Sequence, residues 1–347
     1  MIRTLPFALI LLAPFVRGED PPPPDQNPVV PPLGGAPILN PVPASVVAAS
    51  AIPAAPATEA NRWTGSVALV GGWDNNVLLQ PANRPSATDE SSAVLGGELR
   101  LAWHPISTST GRVDVSADGD QTSYPSAHEA DLSRAGLRAF GQLTLVTDSL
   151  GRIDPGLLIA AHRYWLDGDG AASSLMATAI VTKVRPWWVG VVTVGWVGLD
   201  YDDNTAASGS LLEVSYRHLF LLRESDSRRN LEVSLRGGGY LAEGDADTYR
   251  TVTGALAGAW RFGERQIEAG TIDVTLRLSF ELRTYDHPDS SSQEESQSIL
   301  RAGGQAAWWL WRTAILGPYV VFSNRDSTVD ISDYQRFQTG LRFETTF

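Results

Sequence analysis

Between residues 272 and 283 the side chains alternate without a break. Ile272, Val274, Leu276, Leu278, Phe280 and Leu282 fall on one parity, and Asp273, Thr275, Arg277, Ser279, Glu281 and Arg283 on the other. Successive side chains of an extended strand point to opposite faces, so this order specifies a strand with one apolar and one charged face. The same alternation sets Leu231, Val233 and Leu235 against Glu232, Ser234 and Arg236. It closes the chain, where Phe337, Thr339, Leu341, Phe343, Thr345 and Phe347 oppose Gln338, Gly340, Arg342, Glu344 and Thr346. No apolar run approaches the roughly 20 residues that a spanning helix needs. Hydrophobicity is instead distributed in short alternating pieces.

After Arg62 the pattern recurs in segments at about 63–79, 93–105, 112–124, 131–146, 152–167, 171–186, 187–201, 208–222, 230–244, 248–264, 271–285, 298–313, 314–327 and 334–347. That is fourteen strands, with 12 and 16 as neighbouring counts if one hairpin is misjudged. A soluble sandwich would also alternate, but two features favour a closed antiparallel up-and-down barrel in a membrane. Odd-numbered connections are acidic and polar, as at 88–92, 167–170, 200–209, 243–247 and 287–297, whereas even-numbered ones are tighter and often carry Arg. Long loops on one side and short turns on the other are the habit of outer-membrane barrels. Aromatic residues also sort by strand end. Tyr124, Tyr164, Tyr201, Tyr240, Tyr249, Tyr285 and Tyr334 sit beside the odd connections, and Trp63, Trp103, Trp187, Trp188, Trp260, Trp308, Trp309, Trp311 and Phe347 at the opposite ends. Two interfacial girdles are expected from this sorting.

A final alternating strand that ends on an aromatic residue at the carboxyl terminus resembles the closing strand of bacterial outer-membrane β-barrels of the porin-like kind. The resemblance implies an outer-membrane location and makes Phe347 part of the signal read by the barrel-assembly machinery. Gly71, Gly72, Trp73, Asp74, Asn75, Asn76 and Val77 further resemble a Gly-aromatic-Asp-Ser-Asn-Val segment of a class that includes surface lipoprotein assembly modifiers, themselves fourteen-stranded. Asn75 stands where that class has Ser, and this chain carries no helical repeats. The plainer reading of Asp74 and Asn75 is of polar residues near the rim of the first strand.

Ahead of the barrel, assigned to 61–347, lie two other segments. Residues 1–18 read as a signal peptide, with Arg3 at the positive start, an apolar stretch from 5 to 16 and cleavage after Gly18. Residues 19–60 hold twelve of the 22 prolines. Proline removes backbone donors and stiffens the chain, so this stretch is expected to be a disordered periplasmic linker. Its apolar piece at 45–57 offers an alternative use as a plug for the lumen. Cysteine is absent, which leaves no disulfide, thiolate site or acylated anchor. The net charge of −12 argues against nucleic acid as a partner.

Chemistry is sparse. None of His104, His128, His162, His218 and His287 has metal-ligand spacing, and His104, His128 and His287 read as solvated at turns or loops. His162, beside Arg163 and Tyr164, is the least implausible acid or base. No Ser lies in a nucleophile elbow, so no enzyme and no cofactor is expected. Asp200, Asp202 and Asp203, or Asp245 and Asp247, could bridge divalent cations to lipopolysaccharide, although isolated acidic loops are usually solvated.

Transport has more support. Glu98, Arg100, Arg138, Glu213, Arg217, Glu232, Arg236, Asp273, Arg277, Glu281, Arg283, Arg342 and Glu344 fall on the charged parity. Charge facing lipid is costly, so these are the expected pore-lining residues. One sector departs from the pattern, being apolar on both parities at 157–159 and again at Val189, Val191, Val192, Val194, Trp196 and Val197. Something dry must cover its inner face. The expected function is a channel for small solutes. The alternative is a closed structural or assembly barrel whose Pro-rich linker binds an envelope partner.

Overall fold

A computed structural model describes residues 62–75, 91–126, 131–147, 151–202, 205–222, 229–243, 248–262, 269–285, 296–328 and 334–347. The signal peptide and linker, His128 and His287, and loop residues Asp203, Asp245 and Asp247 lie outside the described residues. The described chain is almost all strand: β1 (Trp63–Asp74), β2 (Ser92–Ser107), β3 (Gly111–Ser123), β4 (Leu132–Leu143), β5 (Leu145–Thr147), β6 (Gly151–Leu166), β7 (Asp169–Arg185) and β8 (Trp188–Tyr201) form the first half. β9 (Gly209–Leu221), β10 (Asn230–Ala242), β11 (Tyr249–Phe262), β12 (Ile272–Tyr285), β13 (Ser296–Trp311), β14 (Ala314–Ser327) and β15 (Tyr334–Thr346) form the second. No described helix is long and apolar enough to cross a membrane.

Each strand pairs antiparallel with its sequence neighbour, and β15 returns to pair with β1 from Ser66↔Thr346 to Asp74↔Gln338. β4 and β5 both pair with β6 and are two halves of one stave broken at Thr144, so fifteen strand segments make a closed cylinder of fourteen staves. Closure leaves no sheet edge, which is the condition for crossing a hydrocarbon layer with strands. The strand count and nearly all strand bounds agree with the sequence reading.

The cylinder is inverted relative to a soluble protein. On β12, Leu282 is 50% exposed while its neighbours Glu281 and Arg283 are 2% and 1% exposed. Leu69, Leu99, Leu137, Leu212, Leu276 and Leu341 are likewise exposed on the outer face. Apolar side chains out and ionised side chains in is the arrangement of a transmembrane barrel, and the chain is an outer-membrane β-barrel of porin-like architecture. Near the termini, Trp63, Trp103, Trp187, Trp308, Trp311 and Phe347 are exposed on this outer face, with Trp63 and Trp103 stacked at 6.0 Å. They form one girdle.

The expected second girdle of tyrosines is not formed by the described residues. Tyr124, Tyr164, Tyr201, Tyr240 and Tyr249 are all buried against the inner side, and Tyr285 shares their parity. Tyr249 follows the parity of the inward residues Thr251, Thr253 and Arg261, so strand alternation carries it inward as well. Trp309 is a second correction: its neighbour Trp308 faces out, so Trp309 must face in, where it is 0% exposed.

The loop pattern also has exceptions. β6 and β7 are joined by Asp167 and Gly168 alone, both at positive φ, 49° and 85°, as a tight Asp-Gly hairpin turn requires. Conversely, the connections between β9 and β10 and between β11 and β12, on the side of the termini, are longer than the two residues that join β7 to β8 or β13 to β14.

Candidate functional site

Among the described residues, the inner wall is where charged and hydrogen-bonding side chains gather. All thirteen sequence-selected charged residues lie on the inward parity of their strands, and Glu213, Arg217, Glu232, Asp273, Glu281, Arg283, Arg342 and Glu344 are buried there. Glu98, Arg100, Arg138, Arg236 and Arg277 are less deeply covered.

Most of these charges are neutralised locally. Arg342 donates to both carboxylate oxygens of Glu98, at 3.0 and 2.9 Å, and to Glu344 Oε2 at 3.0 Å, spanning β15, β1 and β2. The planar guanidinium suits this bidentate grip. Glu281 accepts from Arg283 at 2.9 Å, from Arg301 at 2.9 Å and from the Thr251 hydroxyl at 3.2 Å. Arg217 stands 3.3 Å from Glu232, and Arg236 stands 3.5 Å from Glu213. Asp273 takes both forks of the Arg261 guanidinium and the Trp309 indole N–H at 2.8 Å.

Several inward groups were not selected from the sequence. On β3 and β4, Arg138 Nε lies 2.8 Å from Asp118, and Arg134 donates to Asp120 at 2.7 Å. His104, expected in solvent, faces inward, with Nδ1 2.6 Å from Asp114 and Nε2 3.0 Å from the Thr64 hydroxyl. The signal was present: Asp114, Asp118 and Asp120 share one parity across β3, as do Arg134 and Arg138 on β4.

Asp74 is the clearest case. Far from a solvated rim residue, it is fully buried, accepting from Arg336 Nε at 2.8 Å and Gln338 Nε2 at 2.8 Å. The Asn75 side-chain oxygen accepts the Phe337 backbone N–H at 2.6 Å. The Gly-Gly-Trp-Asp-Asn run therefore clasps the first strand to the last. Gly72 and Gly340 are Cα partners in that seam, and the Tyr319 ring lies over both where a Cβ at either would clash.

A contrasting sector spans β6 to β8 and the last residues of β9. Val189, Val191 and Leu219 pack with Phe140 and Ile180 toward the terminal side, while Val197, Leu199, Met176 and Ala160 pack with the inward tyrosines toward the loop side. Leu157, Ile159, Val192, Val194 and Trp196 face outward from the same strands. The tyrosines belong to this packing. Tyr240 and Tyr249 stack at 5.5 Å, Tyr249 meets Tyr285 at 5.3 Å, and the Arg283 guanidinium lies 4.6 Å over Tyr249.

His162 is buried on this wall, its ring seated against Gly136 where a Cβ would clash, and neither ring nitrogen has a hydrogen-bond partner among the described residues. Its Cα partner on β7 is Ser174, whose buried hydroxyl likewise has no hydrogen-bond partner among the described residues. At the outer rim, Asp202 is held by Arg163, with one Nη1 to Oδ1 contact of 2.8 Å, so its carboxylate is already engaged. That bond holds Asp202 below the ordinary aspartate value. No group of three or more potential metal ligands occurs among the described residues.

No family model and no curated protein sequence matches this chain. Among solved structures it is similar to OccAB4 of Acinetobacter baumannii, at 7% identity and a TM-score of 0.43 over 83% of this chain and 99% of that one. It is also similar to a bacterial polysaccharide outer-membrane secretin, at 11% identity and 0.44 over 83% and 99%. An anion-selective porin from Comamonas acidovorans follows at 9% and 0.42 over 82% and 98%. Likenesses at this level decide no function.

Proposed function

We propose that this outer-membrane barrel is a channel for small solutes, with its aqueous path between the wall formed by β2, β3 and β4 and the wall formed by β10 to β13. One observation carries the reading. Side chains of Glu98, Arg112 and Arg138 keep 29%, 30% and 24% exposure, and Arg236 and Arg301 keep 18% and 17%, although all five face the interior of a closed cylinder. Ionised groups with residual water contact inside a sealed wall are what a conducting lumen contains. A barrel of fourteen staves is wider than the eight-stranded kind that its own side chains fill.

A closed scaffold is the second reading, favoured by the depth at which Ile299, Trp309, Val189 and Val197 are buried on the inner side. Under that reading the linker at 19–60 supplies a plug or binds an envelope partner. The deciding experiment is single-channel conductance of the refolded mature protein in a planar bilayer, with and without residues 19–60. Steady conductance of the longer form supports the channel, conductance only after truncation supports a plug, and silence in both sinks the channel.

Phe347 is proposed as the residue read by the assembly machinery. Its backbone closes the seam through paired hydrogen bonds with Gly65, 2.9 and 3.0 Å, and its ring is 69% exposed on the lipid side. Phe347→Ser should lower the amount of heat-modifiable barrel in membranes; unchanged amounts would remove that role.

A further inference from the structure

Among the described residues, most arginines of the inner wall are ion-paired to a carboxylate. Neither Arg100 nor Arg277 has an ion pair or a hydrogen bond among the described residues. Both lie near the middle of their strands, β2 and β12, on the two walls that keep water contact. The carboxylates nearest to them are already taken. Around Arg100 stand Asp118, its Cα partner on β3, and Asp114, which are engaged by Arg138 with Arg134 and by His104 with Arg112. Around Arg277 stand Glu232, engaged by Arg217 at 3.3 Å, and the further cations Arg236 and Arg301. Its Cα partners across the sheet, Ala257 and Gly303, are small and contribute no polar side chain.

A partly buried cation whose neighbouring carboxylates are already engaged by other cations is under-compensated, and most residues escape by losing the charge. Lysine and histidine can deprotonate; a guanidinium cannot do so in a protein. The part of the charge at these two positions that the shared wall carboxylates do not compensate is open to anions from outside the wall. We infer that Arg100 and Arg277 recruit mobile anions at the mid-barrel and make the lumen select small anionic solutes, bearing halide, carboxylate or phosphate charge, over cations. The inference rests on the channel reading for its consequence in transport, but the anion site itself does not need conduction. The overall charge of −12 belongs to the whole chain and does not describe this belt.

Two measurements separate the site from the channel. The first is the reversal potential of the full mature protein in a potassium chloride gradient, compared with the double variant Arg100→Gln, Arg277→Gln. Wild type should favour chloride by several-fold, and the double variant should fall to near parity. An unchanged reversal potential in a variant of normal conductance overturns the inference. The second is the thermal midpoint of the refolded protein as sodium acetate or sodium phosphate replaces a salt-free buffer. An anion that binds only the folded barrel should raise the midpoint by about 2 °C or more, with the same rise when choline replaces sodium, and the double variant should lose it. If the bilayer is silent but this response is present and lost in the variant, the channel reading fails and the anion site stands. A response that appears only after removal of residues 19–60 assigns the counter-charge to the chain's own amino-terminal segment and overturns the inference for the intact protein.

Discussion

The inner surface of this cylinder is built in two ways. Across β2 to β4 and β10 to β13 it is a lattice of arginines and carboxylates, several of which keep water contact. Across β6 to β8 it is mostly Val, Leu, Ile, Met, Ala and Tyr with Ser and Thr between them, buried to 5% exposure or less at Val189, Val191, Val197, Leu199 and Met176. Both halves present the same apolar face to lipid, so the bilayer does not explain the difference. On the proposed channel reading it reflects what lies inside, water and ions along one half and a dry filling along the other. A channel whose path is confined to one side of a wide lumen needs no plug to be narrow.

The strongest way to break this contrast is to put one carboxylate into each half. Val197→Asp places a charge where no partner and no water reach it, at a cost of several kcal/mol. It should yield no heat-modifiable barrel on refolding. Ala257→Asp places the same group on the inner wall directly across from Arg277, and should fold with a midpoint within about 1 kcal/mol of wild type. Equal yields of the two variants would mean that the apolar sector is wet and the division is not real.

A second comparison asks how deeply the ion pairs are buried. Asp273→Asn strips the counter-charge from Arg261, which is 5% exposed, and should cost about 3–5 kcal/mol in urea unfolding from lipid vesicles. Glu98→Gln acts on a side chain with 29% exposure, and Arg342 keeps Glu344, so the loss should be about 1 kcal/mol. A loss at Glu98 as large as at Asp273 would place Glu98 in a dry network and narrow the proposed path.

How far the sequence could reveal these two halves depends on alternation. On β12 the polar and apolar parities differ at every position from Ile272 to Arg283, so Asp273, Arg277, Glu281 and Arg283 could be assigned to the interior from the sequence. On β8 both parities are apolar, and nothing in the order of Val189 to Val197 says which face is which. The tyrosines were misplaced for a related reason. Position at a strand end suggested an interfacial girdle, but parity decides the face, and Tyr201 shares its parity with the inward Val197 and Leu199. Trp308 and Trp309 are adjacent and could not both face lipid. The seam formed by Asp74, Gln338 and Arg336 joins residues more than 260 positions apart, a contact that no local pattern encodes.

That seam allows a contrast within two residues of one strand. At Gly72 a Cβ would meet the backbone of Thr339 and Gly340 and the Tyr319 hydroxyl, whereas at Gly71 nothing lies within 4 Å. Gly72→Ala should therefore destabilise by about 1–3 kcal/mol, and Gly71→Ala by no more than about 0.5 kcal/mol. Similar midpoints for both would show that β1 can shift against β15, and that the seam does not fix the register of the charged wall.

The smallest effect is expected at the rim, where the chemistry of Arg261 with Asp273 is repeated in water by Arg163 with Asp202. The hydrogen bond from Arg163 keeps Asp202 below the ordinary value of 3.8. A carboxylate with a depressed folded value contributes stability above its unfolded value and loses it as pH falls through the folded one. The contribution is thus complete at pH 7 and fades only below 3.8. Both partners are exposed and screened by salt, so Asp202→Asn should leave the unfolding midpoint at pH 7 unchanged within error, at low and at moderate ionic strength. A clear loss that salt abolishes would mean that the rim pair anchors β6 to the segment after β8 and props open the loop side of the dry sector. An unchanged midpoint beside a large loss in Asp273→Asn would show that burial, and not the pairing of Arg with Asp, sets the strength of the inner wall.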